Sequence, residues 1–171
     1  MSLEAHRACI LDEENCELPS SLDYVKDIND ILDPLVGKWS GIANGKSYEL
    51  NIEKYRENSA DFAMDILGKQ HKIIDLNTDE VIEDTFNVSI RSKRLRGHGI
   101  TQGRNGNWFY DFFQLKSSEC YIYGNVFITK IDDNTLKLFF QQYGSSQPTQ
   151  EDCPSGFNQL YPDNMILTRV E

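Results

Sequence analysis

The chain has 171 residues, of which 39% are hydrophobic and 11% aromatic, and it carries a formal net charge of −10. This length and composition indicate one globular domain and exclude a disordered chain. The acidic excess argues against nucleic-acid binding, because the phosphate backbone would be repelled, and no apolar run has the roughly 18–20 residues of a membrane span.

The first part of the chain predicts an irregular segment followed by a helix. Residues 1–19 are acidic and lack periodicity, and Met1-Ser2-Leu3 is interpreted as an expression leader in place of a removed signal. Over 20–33, apolar residues recur at helical spacing, and Pro34 ends the pattern. We therefore expect a lead-in over 1–19 and a single domain over 20–171 that begins with this helix.

From Trp39 onward the hydrophobic period changes to two, which is typical of strands with one buried face. Asn44-Gly45 predicts a two-residue hairpin turn, because both positions require positive φ. Residues 108–115 are apolar on both faces, which predicts a strand covered on both sides. The other apolar stripes are Tyr48, Leu50 and Ile52; Phe62, Met64 and Ile66; Phe86, Val88 and Ile90; Tyr121, Tyr123 and Phe127; Leu136, Leu138 and Phe140; and Met165, Leu167 and Arg169.

About eight strands with hairpin-length connections predict an all-β fold, an antiparallel up-and-down barrel. A barrel of this size is just wide enough for a small ligand or for side chains alone. Closure would bring the first and last strands together, and with them Trp39 and Arg169. An arginine stacked on an indole gains a cation–π contact. We interpret this pair as a structural clasp in preference to a ligand contact.

Residues 23–39 resemble the opening of a lipocalin-like (calycin superfamily) family of uncharacterised secreted proteins from Bacteroidetes. Its members have a Lys-Asp-x-x-Asn segment, then Leu-Asp-x-Phe/Leu-Val-Gly-x-Trp and an Asn-Gly hairpin. Here the first segment is Lys26-Asp27-Ile28-Asn29, one residue shorter, whereas the residues from Leu32 to Trp39 and the Asn-Gly pair match. The resemblance implies a lipocalin-like barrel and a secreted, periplasmic or cell-surface location. It implies no known activity.

Export of this kind favours disulfides over free thiols for the four cysteines, Cys9, Cys16, Cys120 and Cys153. Four cysteines allow three pairings. We predict Cys9–Cys16, which closes a short local loop, and Cys120–Cys153, which ties a strand start to the long polar loop over 144–162. Zinc is disfavoured because the cysteines lack C-x2-C spacing.

The aromatic stripes suggest a small apolar or amphipathic ligand inside the barrel, with tyrosine hydroxyls orienting its polar end. The alternative is a solidly packed barrel that acts as a protein-binding module. The parity of 108–115 leaves open whether Trp108 and Tyr110, or instead Phe109 and Phe113, point inward. The predicted ligand contacts are Tyr48, Phe62, Trp108, Tyr110 and Tyr123.

The remaining charged groups support no metal, cofactor or catalytic prediction. The basic run at 91–96 is interpreted as a solvated loop edge, and the glycines at 97, 99 and 103 miss a dinucleotide motif. Asp23, Asp27, Asp30 and Asp33 are interpreted as a solvated helix face, because they lack the glycine and glutamate of a calcium loop. The histidines at 6, 71 and 98 are placed in loops or edges and form no catalytic arrangement.

Overall fold

The computed structural model describes residues 1–12, 16–113, 120–142, 149–151, 153–154 and 156–170. Within these ranges the secondary structure is almost entirely strand. The elements are α1 (Leu3–Leu11), β1 (Tyr24–Val25), β2 (Gly37–Ala43), β3 (Lys46–Asn58), β4 (Ala63–Asp75), β5 (Val81–Asp84), β6 (Gly97–Gln102), β7 (Trp108–Phe113), β8 (Gly124–Asp132), β9 (Thr135–Gln142) and β10 (Asn164–Val170).

The strands form one curled sheet in the order β1-β4-β3-β2-β10-β9-β8-β7-β6, with β5 paired to β4. All pairs are antiparallel except β1 with β4. The predicted all-β, up-and-down barrel is confirmed, with more strands than the eight expected. An isolated bridge joins Gly68 of β4 to Arg96, just before β6, so the two ends of the sheet approach each other without a continuous strand pair and the barrel is incompletely closed.

Alternation along the strands sends one set of apolar side chains into the barrel. On β3 these are Tyr48, Leu50 and Ile52, and β9 contributes Leu136 and Leu138, all nearly inaccessible to solvent. The β2–β3 hairpin turns at Asn44-Gly45 with φ values of 51° and 72°, as predicted. The sequence pattern therefore predicted these strands and their buried faces correctly.

The helix predicted over 20–33 is wrong. Residues Tyr24–Val25 pair with β4, and a 3₁₀ turn follows at Asp33–Leu35. Between them the buried Asp27 carboxylate accepts hydrogen bonds from the N–H groups of Ile31 (2.9 Å) and Leu32 (3.1 Å). Such side-chain bonds offer the backbone an alternative to helical hydrogen bonds. Asp27 is therefore an internal cap of a loop and does not belong to a solvated helix face, whereas Asp23, Asp30 and Asp33 are exposed as predicted.

The lead-in predicted as irregular contains the helix α1, whose first turn is capped by the side chain of Ser2. Leu3 belongs to the main core, and His6 and Cys9 are also buried. Arg7 donates a hydrogen bond to the Thr101 hydroxyl on β6 at 3.1 Å. The sequence did not predict this helix, because its apolar face is short. Leu3, His6 and Cys9 become buried only because the helix packs on the sheet.

The strand predicted through Phe86, Val88 and Ile90 is also wrong. The strand in this region is β5, and its pairing with β4 ends where the Thr85 hydroxyl accepts a hydrogen bond from the His71 N–H at 2.7 Å. A side chain thereby replaces a backbone carbonyl of the ladder. The chain then turns away, which leaves Phe86 exposed.

Both predicted disulfides are confirmed. Cys9 pairs with Cys16, with Cα atoms 5.1 Å apart, and Cys120 pairs with Cys153 at 5.4 Å. Disulfides of this kind are typical of proteins from oxidising compartments. Among the described helices, none is long and apolar enough to cross a membrane.

We expect titration of the unfolded, unreduced protein with a thiol reagent to find no reactive cysteine, because both pairs are bonded in the structure. After reduction the same titration should find all four. Four reactive thiols before reduction would contradict both disulfides.

Candidate functional site

The structure brings Trp39 and Arg169 together at one end of the barrel. They pair directly across β2 and β10, and the guanidinium carbon lies 4.1 Å from the centre of the indole. The indole N–H donates to the Leu35 carbonyl at 3.0 Å. The guanidinium donates to the carbonyls of Val36 (2.9 Å) and Pro34 (3.3 Å). The pair therefore holds the 3₁₀ turn against the joined ends of the sheet.

Two of the five predicted ligand contacts lie in the barrel interior. Tyr48 and Tyr110 are both fully buried. The Tyr48 hydroxyl donates to the Leu160 carbonyl at 3.1 Å, and the Tyr110 hydroxyl accepts from the Leu67 N–H at 2.8 Å. Among the side chains of β7 that the structure describes, Tyr110 and Phe112 are buried, which favours the alternative in which Trp108 and Tyr110 face inward. Burial raises the pKa of Tyr48 to about 12.

The other three predicted contacts lie elsewhere. Phe62 is partly buried, packs edge-on against His6, and lines a cleft of about 210 Å³ together with Arg96 and other residues. Trp108 lines a different cleft, of about 400 Å³, beside the loop that follows β1. Tyr123 is half-buried just before β8. Phe127, which the sequence placed on the same face as Tyr123, stacks on Phe139 of β9, on the outer side of the sheet.

Sequence reasoning missed a polar cluster in the interior. Lys69 and His71 on β4 lie opposite Ile52 and Leu50 of β3, so they share the inward face of those residues. Lys69 is 3% exposed and His71 is 6% exposed. The predicted inward face of β4 was Phe62, Met64 and Ile66, the opposite parity. Polar residues at alternate positions normally indicate solvent, and for this strand that rule failed.

The cluster continues from β4 to β5 and to the segment before β10. The Lys69 ammonium group donates to the Tyr161 hydroxyl at 2.6 Å and lies 3.4 Å from Nδ1 of His71. On the other side of the imidazole, Nε2 is 3.0 Å from a carboxylate oxygen of Glu83. These partners favour the tautomer with the proton on Nε2, which leaves Nδ1 as an acceptor facing Lys69.

Burial shifts the pKa values of Lys69, His71 and Tyr161. Desolvation lowers the pKa of Lys69 to about 7, against a smaller opposing effect of Glu83. Desolvation, aided by Lys69, lowers the pKa of His71 to about 4. Burial raises the pKa of Tyr161 well above its usual value. Near neutral pH the imidazole is therefore uncharged and the amine is divided between its two protonation states.

Aromatic rings enclose the amine. Its nitrogen lies 4.6 Å from the centre of the Tyr161 ring and 5.5 Å from that of Phe112. Tyr161 in turn stacks on Tyr48 at 5.9 Å and meets the edge of His71 at 5.6 Å. One amine and one imidazole are therefore packed among aromatic rings in the barrel interior.

Tyr161 enters the barrel from the 156–163 strap, which crosses the end opposite the Trp39–Arg169 pair. The strap is bonded to the segment before β8 through Asn158, whose N–H donates to the Cys120 carbonyl and whose carbonyl accepts from the Ile122 N–H. Lys46 donates to the Gln159 carbonyl at 3.2 Å. The Cys120–Cys153 disulfide anchors the chain just before the strap.

Three acidic side chains, Asp27, Asp30 and Asp33, come close enough together to suggest cation binding. The ammonium group of Lys54 already occupies this position, with ion pairs to Asp27 at 3.4 Å and to Asp33. Lys54 therefore balances one of the three negative charges from within the chain and occupies the position that a cation would take.

Comparisons of the chain with protein-family models, with curated proteins and with solved structures found no match.

Proposed function

We propose that this protein is an exported, lipocalin-like barrel that binds a small amphipathic ligand in its interior, with the polar end of the ligand at Lys69. One observation carries the proposal. Lys69 is buried among aromatic rings, and within the described part of the chain no carboxylate lies at ion-pairing distance from its nitrogen.

An amine in this position is costly for the fold alone. Burying a charged group without a charged partner is strongly unfavourable, and an apolar side chain of similar length would fill the same space without that penalty. A ligand that carries a hydrogen-bond acceptor, such as a carboxylate, would supply the missing partner. The surrounding rings of Tyr48, Phe112 and Tyr161 suit the apolar part of such a ligand.

Entry to this site involves the 156–163 strap. In the structure the Tyr161 hydroxyl occupies the position next to the amine that the ligand's acceptor would take. The ligand therefore displaces this side chain, and Tyr161 acts as a plug in the unliganded protein. The strap is held by hydrogen bonds to Lys46, Tyr48 and the segment before β8, and Leu160 and Tyr161 are buried in the core. Binding must therefore supply the free energy that displaces Tyr161 from this packing.

Export is proposed on two grounds. The two disulfides fit an oxidising compartment. The opening of the domain resembles that of the secreted lipocalin-like family, and the all-β curled sheet is compatible with that resemblance.

Calorimetric titration with dodecanoate tests the proposal. We expect saturable binding of one molecule per chain, and we expect Lys69→Met to weaken it about tenfold to a hundredfold, because a hydrogen bond to a charged group contributes about 1.5–3 kcal/mol. Lys72→Met is the matched control, since Lys72 lies on the same strand but on the opposite face. Equal loss of binding in both variants, or no binding by the parent, would contradict the interior site.

The alternative is a protein-binding module with a packed interior. It is favoured by an aromatic cluster on the outer face of the sheet, where Phe139 stacks on Phe127 at 4.9 Å and meets the edge of Phe109 at 5.6 Å. Aromatic side chains are enriched at protein interfaces. If neither dodecanoate nor dodecanol binds, the result favours the protein-binding alternative, with this outer aromatic cluster as the interface.

A further inference from the structure

We propose that Lys69 is a nucleophilic amine that captures a long-chain aldehyde covalently, as an imine, inside the barrel. This inference rests on the proposed function, and it specifies the chemical class of the ligand's polar end. The geometry that carries it is the position of the amine between an imidazole nitrogen at 3.4 Å and a tyrosine hydroxyl at 2.6 Å, with aromatic rings packed around it.

An amine attacks a carbonyl only when it is unprotonated. Most lysines are almost fully protonated at neutral pH. Desolvation of Lys69 lowers its pKa to about 7, so on the order of a thousandfold more of it is unprotonated at pH 7 than of an ordinary lysine. An ion pair with a carboxylate would raise the pKa of Lys69 again. The nearby Glu83 carboxylate instead contacts Nε2 of His71, on the far side of the imidazole.

The reaction balances without an oxidant or reductant. The lone pair of the amine forms the carbon–nitrogen bond while the carbonyl π bond breaks, and one amine proton passes to the oxygen. The second proton follows as the carbon–oxygen bond breaks, and water leaves. Nδ1 of His71 is positioned to accept each proton and return it, since its other nitrogen is oriented by Glu83.

The aldehyde oxygen would first take the position of the Tyr161 hydroxyl, within hydrogen-bond distance of the amine. The ligand's alkyl chain would then lie among the rings that now enclose Lys69. Closure of the strap excludes bulk water, which otherwise hydrolyses imines.

The test is reductive trapping. The intact, disulfide-bonded protein is incubated with dodecanal and cyanoborohydride at pH 7, and the product is measured by intact mass and peptide mapping. We expect one dodecyl group per chain on Lys69, in addition to any slow labelling of the exposed N-terminal amine. Lys69→Arg, which keeps a cation but loses the nucleophile, should lack this adduct, and Lys72→Met should retain it.

A parallel titration with dodecanol and dodecanoate distinguishes the two proposals. Binding of either compound without a Lys69 adduct from dodecanal overturns the imine and leaves the interior binding site intact. Absence of both binding and adduct overturns both. Labelling spread evenly over the lysines, or an adduct of equal yield in Lys69→Arg, also overturns the imine.

Discussion

Replacing Trp39 with alanine is expected to lower the free energy of unfolding by about 3–5 kcal/mol, the usual cost of removing a large buried aromatic side chain. The indole is 1% exposed and belongs to the main core. The substitution also removes the ring beneath Arg169 and leaves the Leu35 carbonyl without its donor. Denaturant unfolding followed by far-UV circular dichroism measures the change.

Trp108→Ala is the control, because the second tryptophan is only partly buried and lines a cleft. It should cost clearly less than Trp39→Ala. Arg169→Lys should also destabilise, since lysine keeps the charge but cannot donate to Val36 and Pro34 in the same way. A Trp39→Ala protein that melts within about a degree of the parent would show that the pair is not a clasp.

Replacing Lys69 with methionine is expected to change the pH dependence of stability. In the unfolded chain a lysine keeps its proton up to its ordinary pKa, whereas folded Lys69 releases it at about pH 7. Between these values unfolding takes up a proton, so the parent gains about 1.4 kcal/mol of stability for each unit of rising pH. Lys69→Met should lack this slope and should be the more stable protein at pH 6.

The groups facing Lys69 set the limits of this experiment. His71, with its pKa near 4, adds a second rise in stability up to the ordinary histidine range, and Glu83, Arg94, Tyr48 and Tyr161 remain in place in the variant. Unfolding is therefore compared between pH 7 and pH 9, where Lys69 dominates. Parallel profiles for the parent and Lys69→Met would contradict the uncharged state of the amine, and Lys72→Met should follow the parent.

The two predictions concern different parts of the barrel. The Trp39–Arg169 pair closes one end and contributes stability. The cluster around Lys69 lowers stability most below about pH 7, and this cost falls as the pH rises towards the ordinary pKa of lysine. The cost is the physical reason to assign a function to the cluster. A ligand that supplies an acceptor, or that consumes the amine as an imine, would relieve it.

Local patterns were sufficient for the parts of this protein in which neighbours along the chain decide the structure. The Asn44-Gly45 turn followed from positive φ, and the strands that contain Tyr48 and Leu136 followed from alternation. The disulfide pairing, one of three possible, was predicted because Cys9–Cys16 closes a short loop and Cys120–Cys153 holds the 144–162 loop, and it is confirmed. The contact of Trp39 with Arg169 followed from closure of a sheet, which joins its first and last long strands whatever lies between them.

The tertiary structure alone decided the N-terminal segment and the candidate site. Apolar residues at helical spacing over 20–33 were overridden by the Asp27 carboxylate and by pairing of Tyr24–Val25 with β4. Alternation of polar and apolar residues divides a strand into two faces but does not say which face is inside. A change of one residue in the register exchanges the two faces. Only the register of β4 on β3 put Lys69 and His71 opposite buried isoleucine and leucine, and only the strap, 92 residues further on, brought Tyr161 to the amine.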